Sequence, residues 1–190
     1  MHADSWALKA KKLGLRSRAV FKLEEILIKT KTLQKNSLVL DIGAAPGGWS
    51  KLIKTMAPSS SVFAIDLLPM DPIKDVIFFQ KDILNIDEIE EISILKSKFD
   101  LVISDLAPNL TGIKAVDEEN IFNLNAFTLR IALNYLNESN GSFLIKTFQN
   151  SLLKKLRTEM EKSFHLVQTY KPAASKSKSA EIYLYGEKPL

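Results

Sequence analysis

The stretch Leu38-Val-Leu-Asp-Ile-Gly-Ala-Ala-Pro-Gly-Gly48 constrains this chain more than any other. Residues 38–42 are almost wholly aliphatic and read as a buried strand. A glycine-rich turn follows at once, and helical apolar spacing resumes over residues 49–56. Glycines in such a turn allow positive φ and let backbone approach a ligand closely. Strand, turn and helix in this order belong to open α/β sheets, where ligands sit beyond the carboxyl ends of the strands.

The rest of the chain repeats that alternation. Strands are expected at 61–66, 76–80, 99–104, 141–148, 165–170 and 181–185, with helices at 17–30, 86–95, 117–136 and 151–163. The pattern predicts an α/β fold with a mainly parallel, helix-covered sheet. The last two strands have no helix between them. Their connection, residues 171–180, is short for a parallel crossover, so one of the pair is expected to be antiparallel. A length of 190 residues suits one domain, spanning 1–190.

Taken alone, the turn fits a tight connection, a dinucleotide site or an S-adenosylmethionine site. Ala45 replaces the middle glycine of G-x-G-x-x-G, and no Gly-Lys-Ser/Thr follows to make a P-loop. Acids narrow the choice. Asp41, Asp66, Asp82 and Asp105 fall at or just after strand ends. A lone aspartate there is more often a cap or turn residue. Several beside one glycine turn suit a ligand with hydroxyls and a positive charge. Asp66 is placed to accept from two ribose hydroxyls, and Asp82 to bind an adenine amino group. A pyrophosphate gains nothing from so many carboxylates, whereas a sulfonium cation does.

Charge points to a partner. The formal net charge is +4. Lys9, Lys11, Lys12, Arg16, Arg18 and Lys22 follow one another with no acid among them, and Lys171, Lys176 and Lys178 form a second basic stretch. These are either solvated faces or, where the fold joins the chain ends, one phosphate-facing surface. No cysteine is present, which excludes disulfides and thiolate catalysis. Only His2 and His165 supply imidazole, too few for a histidine zinc site. No apolar run is long enough to span a bilayer, and the first residues lack a signal-like stretch. A cytoplasmic or organellar location and a monomeric state fit these features.

Several blocks resemble the FtsJ/RrmJ (RlmE) family of ribosomal RNA ribose 2′-O-methyltransferases. They are Arg16-Ser-Arg-Ala-Val-Phe-Lys-Leu23, Asp41-Ile-Gly-Ala-Ala-Pro-Gly-Gly-Trp-Ser50 and Asp66-Leu-Leu-Pro-Met-Asp-Pro72, followed by Ser104-Asp-Leu-Ala-Pro-Asn109, Phe143-Leu-Ile-Lys-Thr-Phe-Gln149 and Ser175-Lys-Ser-Lys-Ser-Ala-Glu-Ile-Tyr183. The resemblance covers nearly the whole chain, in the family's order. It implies a Rossmann-like fold with seven strands, one antiparallel near the C-terminus, and helices on both faces. It implies a catalytic tetrad of Lys22, Asp105, Lys146 and Glu181. Cofactor contacts carry over to Gly43, Gly47, Trp49, Asp66, Asp82 and Asp105. The implied substrate is a uridine in the A-loop of large-subunit (23S-type) ribosomal RNA in the assembled subunit. The basic segment 1–35 is expected to serve RNA binding and catalysis, with RNA contacts from Lys9, Lys11, Lys12, Arg16, Arg18, Lys176 and Lys178. Three departures stand out. Little of the family's basic N-terminal extension precedes Asp4, Phe148-Gln149-Asn150-Ser151 replaces Phe-Gln-Gly-Glu-Gly, and Lys81 stands where glycine is usual.

The implied chemistry is displacement of a methyl group from a sulfonium by a ribose oxygen. A lysine near that oxygen can remove its proton or stabilise its developing charge. A free lysine titrates near ~10.4, so a base needs a lowered pKa. A second lysine and burial lower it, while carboxylates raise it. Lys146 is the expected base or primary oxygen contact, with Asp105 orienting it. Competing readings are a family member acting on transfer RNA or cap RNA, a non-catalytic RNA-binding assembly factor, and an NAD dehydrogenase.

Overall fold

The computed structural model describes residues 5–175 and 179–190. Seven strands form one sheet: β1 (Leu38–Ile42), β2 (Ser61–Asp66), β3 (Val76–Gln80), β4 (Leu101–Ser104), β5 (Ser142–Phe148), β6 (Phe164–Tyr170) and β7 (Glu181–Pro189). Their order across the sheet is β3-β2-β1-β4-β5-β7-β6. Only β7 runs against its neighbours, pairing antiparallel with both β5 and β6. The shortness of the link after β6 accounts for this, because it permits reversal but no crossover.

The helices are α1 (Ser5–Lys12), α2 (Ala19–Thr30), α3 (Gly48–Met56), α4 (Glu90–Ser93), α5 (Lys114–Tyr135) and α6 (Leu153–Glu161). Strand alternation sorts them into two layers. Val39, Leu101, Ile103, Leu144 and Tyr183 meet Leu23, Ile26 and Leu27 of α2 and Ile53 of α3. Leu40, Ile42, Val102, Phe143 and Ile145 face the other way, onto Leu129 and Ala132 of α5 and Leu156 of α6. Helices on both faces of a mainly parallel sheet are what the pattern predicts.

Two local expectations change. In place of one helix over 86–95, a 3₁₀ helix (Ile83–Glu88) precedes the short α4. Ile83, Ile86, Ile89 and Ile92 recur every third residue, the 3₁₀ period rather than the α period. The last three are buried, Ile86 from the 3₁₀ helix, Ile89 from the extended link and Ile92 from α4. Asp87 would also face Glu90 and Glu91 across one α-helical turn, a like-charge conflict.

The second change is α1, which the sequence reading left without structure. Its Ala10 is buried in a cluster with Phe21 of α2 and Ala174 of the β6–β7 connection, and Trp6 packs against it. The Ala173 amide also donates to Glu25 Oε2 of α2 at 2.8 Å. The two basic ends of the chain therefore meet. Lys176 and Lys178 lie outside the described residues.

Candidate active site

The chemistry-bearing residues line up along one edge of the sheet. Reading across it, Asp82 follows β3, Asp66 ends β2, the glycine turn follows β1, Asp105 follows β4, Lys146 lies near the end of β5 and Glu181 begins β7. Strand order reverses between β1 and β4, the place where open α/β sheets bind ligands.

The turn needs its glycines. Gly43 has φ 78° and Gly47 φ 92°. A Cβ on Gly43 would meet Leu106 Cδ2 at 2.6 Å. One on Gly47 would meet Met70 Sδ at 2.6 Å and Ile73 Cδ1 at 2.7 Å. Asp66 ties the turn to its neighbour loop: Oδ2 accepts from the Ala45 amide and Oδ1 from the Leu68 amide, each at 2.8 Å. A carboxylate offers about four acceptor sites, so about two stay open. Asp82 caps the 3₁₀ helix by accepting from the Leu84 amide at 2.9 Å. Both acids line a cavity of about 700 Å³ whose other walls are Leu106 to the β4 side and Asn120, Asn123 and Phe127 of α5.

Three members of the expected tetrad share one face of the sheet. Lys146 follows Leu144 by two residues on β5, and cross-strand pairing sets Lys146 opposite Tyr183 and Phe148 opposite Glu181. Lys22 comes down from α2 onto that face and forms an ion pair with Glu181 Oε1. The Lys22 residue is only 4% exposed. Tyr183 donates to the same Glu181 oxygen at 3.1 Å. Burial, and then the negative charges of Asp105 and Glu181, push the Tyr183 phenol up, so it remains a donor. Lys146 Nζ donates to Asp105 Oδ1 at 2.8 Å and to the Asp105 carbonyl at 2.6 Å. Burial raises the Asp105 carboxyl above its ordinary range, Lys146 and Lys22 oppose that, and Glu181 adds to it. Asp105 thus senses the charges of the other three groups.

Asp41 lies beneath the turn with no exposure. Ser50 donates to its Oδ2 at 2.6 Å, and Oδ1 has no partner among the described residues. Burial raises its pKa to about 7, opposed by Ser50 and reinforced by Asp105 and Asp66. The sign of the consequence follows from linkage. Below about 3.9 the carboxyl is neutral in folded and unfolded chains alike. From there to about 7 the folded protein keeps a proton that the unfolded chain has lost. Stability falls as pH rises through this window and levels off above it. Asp41→Asn removes this dependence, up to about 1.4 kcal/mol per pH unit. Denaturant midpoints of both proteins across the window check it; parallel curves would refute the assignment.

The other expected contacts divide. Trp49 is buried in the first turn of α3, where its indole donates to the Ala19 carbonyl at 3.1 Å and packs beside Tyr183. Its ring pins α3 to α2. Lys9, Lys11 and Lys12 are exposed on α1, and Lys9 Nζ lies over the Trp6 and Phe21 rings. Arg18 precedes α2, half-buried, and its charge reaches the Tyr183 phenol. Arg16 donates to three backbone carbonyls. Sequence reasoning missed Tyr183 and the α5 wall. Asn120 and Asn123, one turn apart in a helix where asparagine is disfavoured, were the available signal.

The profile of the FtsJ-like methyltransferase family matches residues 15–188. The chain belongs to this family. Ribosomal RNA large subunit methyltransferase E of Ehrlichia chaffeensis is 40% identical over 186 residues, 96% of this chain and 87% of that protein. The protein of the same name from Coxiella burnetii is 42% identical, over 95% of this chain and 88% of its own. The crystal structure of a ribosomal RNA methyltransferase from Plasmodium falciparum superposes with a TM-score of 0.82 at 34% identity, over 92% of this chain and 98% of that one. FtsJ-like methyltransferases take their methyl group from S-adenosylmethionine. This chain's residues fit that cofactor: the cavity holds a nucleoside-sized ligand, and its acids suit hydroxyls and a cation.

Proposed function

We propose that this FtsJ-like methyltransferase methylates a ribose 2′-hydroxyl of large-subunit ribosomal RNA, at a uridine of the A-loop. The names of its relatives support the substrate. One geometric observation supports the chemistry: Lys146 Nζ gives two N–H bonds to Asp105, and Lys146 sits on β5, between β4, which leads into Leu106 of the cavity, and β7, which carries Glu181.

A neutral amine has two N–H bonds and one lone pair. With both N–H bonds on Asp105, the lone pair is left for an incoming hydroxyl. Lys146 takes the hydroxyl proton, and the Asp105 carboxylate stabilises the ammonium that results. Lys22 and Glu181 position the ribose and keep that wall charged but neutral overall. S-adenosylmethionine, when bound, supplies a methyl group on a sulfonium that leaves readily. Asp66 holds its ribose and Asp82 its adenine. Gly43, Gly47 and the unpaired amides of the first turn of α3, Trp49 among them, hold the rest. Lys9, Lys11 and Lys12 on α1, with Arg18, meet RNA phosphates.

The test is incubation with labelled S-adenosylmethionine and, separately, large subunits, small subunits, transfer RNA and capped RNA, followed by mapping of the modified ribose. Label on one ribose of the large-subunit RNA is expected. Label confined to transfer RNA or caps would overturn the substrate, and no label anywhere would favour an RNA-binding assembly factor.

A further inference from the structure

Arg16 stands in the basic N-terminal segment, between exposed Lys12 and buried Lys22, and is half-buried, with its guanidinium engaged by backbone carbonyls. Nη1 donates to the carbonyls of Pro46 and Asp71, both at 2.9 Å, and Nη2 to the carbonyl of Pro72 at 3.2 Å. Pro46 belongs to the glycine turn after β1. Asp71 and Pro72 belong to the loop between β2 and β3, the loop that carries Leu67 and Leu68 into the cofactor cavity. Arg16 thus bridges the glycine turn and the loop whose Leu67 and Leu68 line the cavity.

Gly47 shows how tight this junction is. A Cβ there would lie 2.8 Å from Arg16 Nη1 and closer still to Met70 and Ile73. The loop, the turn and the guanidinium meet at one point with no room for a methyl group. Asp66 makes a second link by accepting from the Ala45 amide. The turn is therefore held by both a carboxylate and a guanidinium.

We infer that Arg16 is a positioning residue of the cofactor pocket, a clasp that fixes the glycine turn against the β2–β3 loop, and not an RNA phosphate contact. This rests on the reading that the cavity beside Asp66 takes S-adenosylmethionine. A planar fork can serve three carbonyls on two segments, whereas an ammonium on a flexible stem acts as a point charge. Lysine is thus a poor substitute in a clasp and a fair one at a phosphate.

The test measures binding of S-adenosylhomocysteine to the full-length wild type and to R16A, R16K and D66A, with thermal melting to confirm folding. RNA affinity is followed over a salt series with the large-subunit RNA as probe. For R16A and R16K the dissociation constant is expected to rise on the order of tenfold. The turnover number at saturating S-adenosylmethionine stays within about twofold while KM rises, the signature of a lost binding interaction. The dependence of log affinity on log salt keeps its wild-type slope in both variants. Cofactor affinity at the wild-type level in R16K would overturn the clasp. So would a salt slope reduced by about one in R16A, the mark of a lost phosphate contact. R16K decides the matter if R16A fails to fold. Unchanged affinity in D66A would instead refute the pocket assignment; weakening in D66A alone would refute only the role of Arg16.

Discussion

Replacing Lys146 with alanine is expected to lower methyl transfer by about three orders of magnitude, within the range of a lost general base. Affinity for S-adenosylmethionine should stay within about twofold of wild type, since Lys146 makes its hydrogen bonds to Asp105 and not to the cavity acids. The fold should survive as well. Asp105 loses its partner, and burial, which already raises its carboxyl, then acts with less opposition and favours the neutral form. Lys146→Arg separates the two ways a cation can act on the ribose oxygen. Arginine cannot give up its proton, so it fails as a base and remains able to stabilise negative charge. An inactive arginine variant is the expected result, with single-turnover transfer as the measurement. Near-normal turnover in the alanine variant would sink the role of Lys146 altogether, and an active arginine variant would leave it only an electrostatic one.

Replacing Glu181 with alanine is expected to destabilise the protein by about 3–5 kcal/mol, the cost of leaving a buried charge without its partner. Lys22 is 4% exposed and wedged between α2 and the sheet, where its ammonium forms its ion pair with Glu181. Tyr183 loses the same acceptor. In a chain of this length such a loss lowers the melting temperature on the order of 10 °C. The double variant Lys22→Met, Glu181→Leu removes both charges, and a buried pair replaced by apolar groups is often neutral or stabilising. It should regain most of the lost stability and transfer no methyl groups. A stable Glu181→Ala protein would show that Lys22 finds water. An active double variant would remove both residues from the chemistry.

The sequence was informative where local chemistry and geometry coincide. Gly43 and Gly47 stand at positive φ because the chain turns sharply there, and glycine is the residue that tolerates it. The four strand-end acids were visible because strands betray themselves by their apolar runs. Failures came where periodicity was ambiguous or contacts were remote. The segment 86–95 was read with an α-helical ruler, whereas Ile83 and Ile86 lie in a 3₁₀ helix, Ile89 is extended and Ile92 belongs to the short α4. α1 offered only Trp6 and Ala10 to a core, and of their partners Phe21 sits on the next helix and Ala174 far away in the chain. Arg16 looked like any other member of a basic run, since its three acceptors are backbone carbonyls that carry no residue signature.

Alternation and turn chemistry, both local properties, were enough by themselves to determine an α/β sheet with a glycine-lined ligand edge. The family motifs then named the four charged residues. What pairs with what was decided by tertiary structure alone. Lys22 and Glu181 are separated by most of the chain, and Lys146 and Asp105 by a whole helix and strand. Only the order β4-β5-β7 brings their strands side by side, and only the reversal of β7 places Glu181 at the same edge as Lys146. The physical reason is that charge interactions depend on distance and burial, and neither is a property of a residue until the sheet has formed.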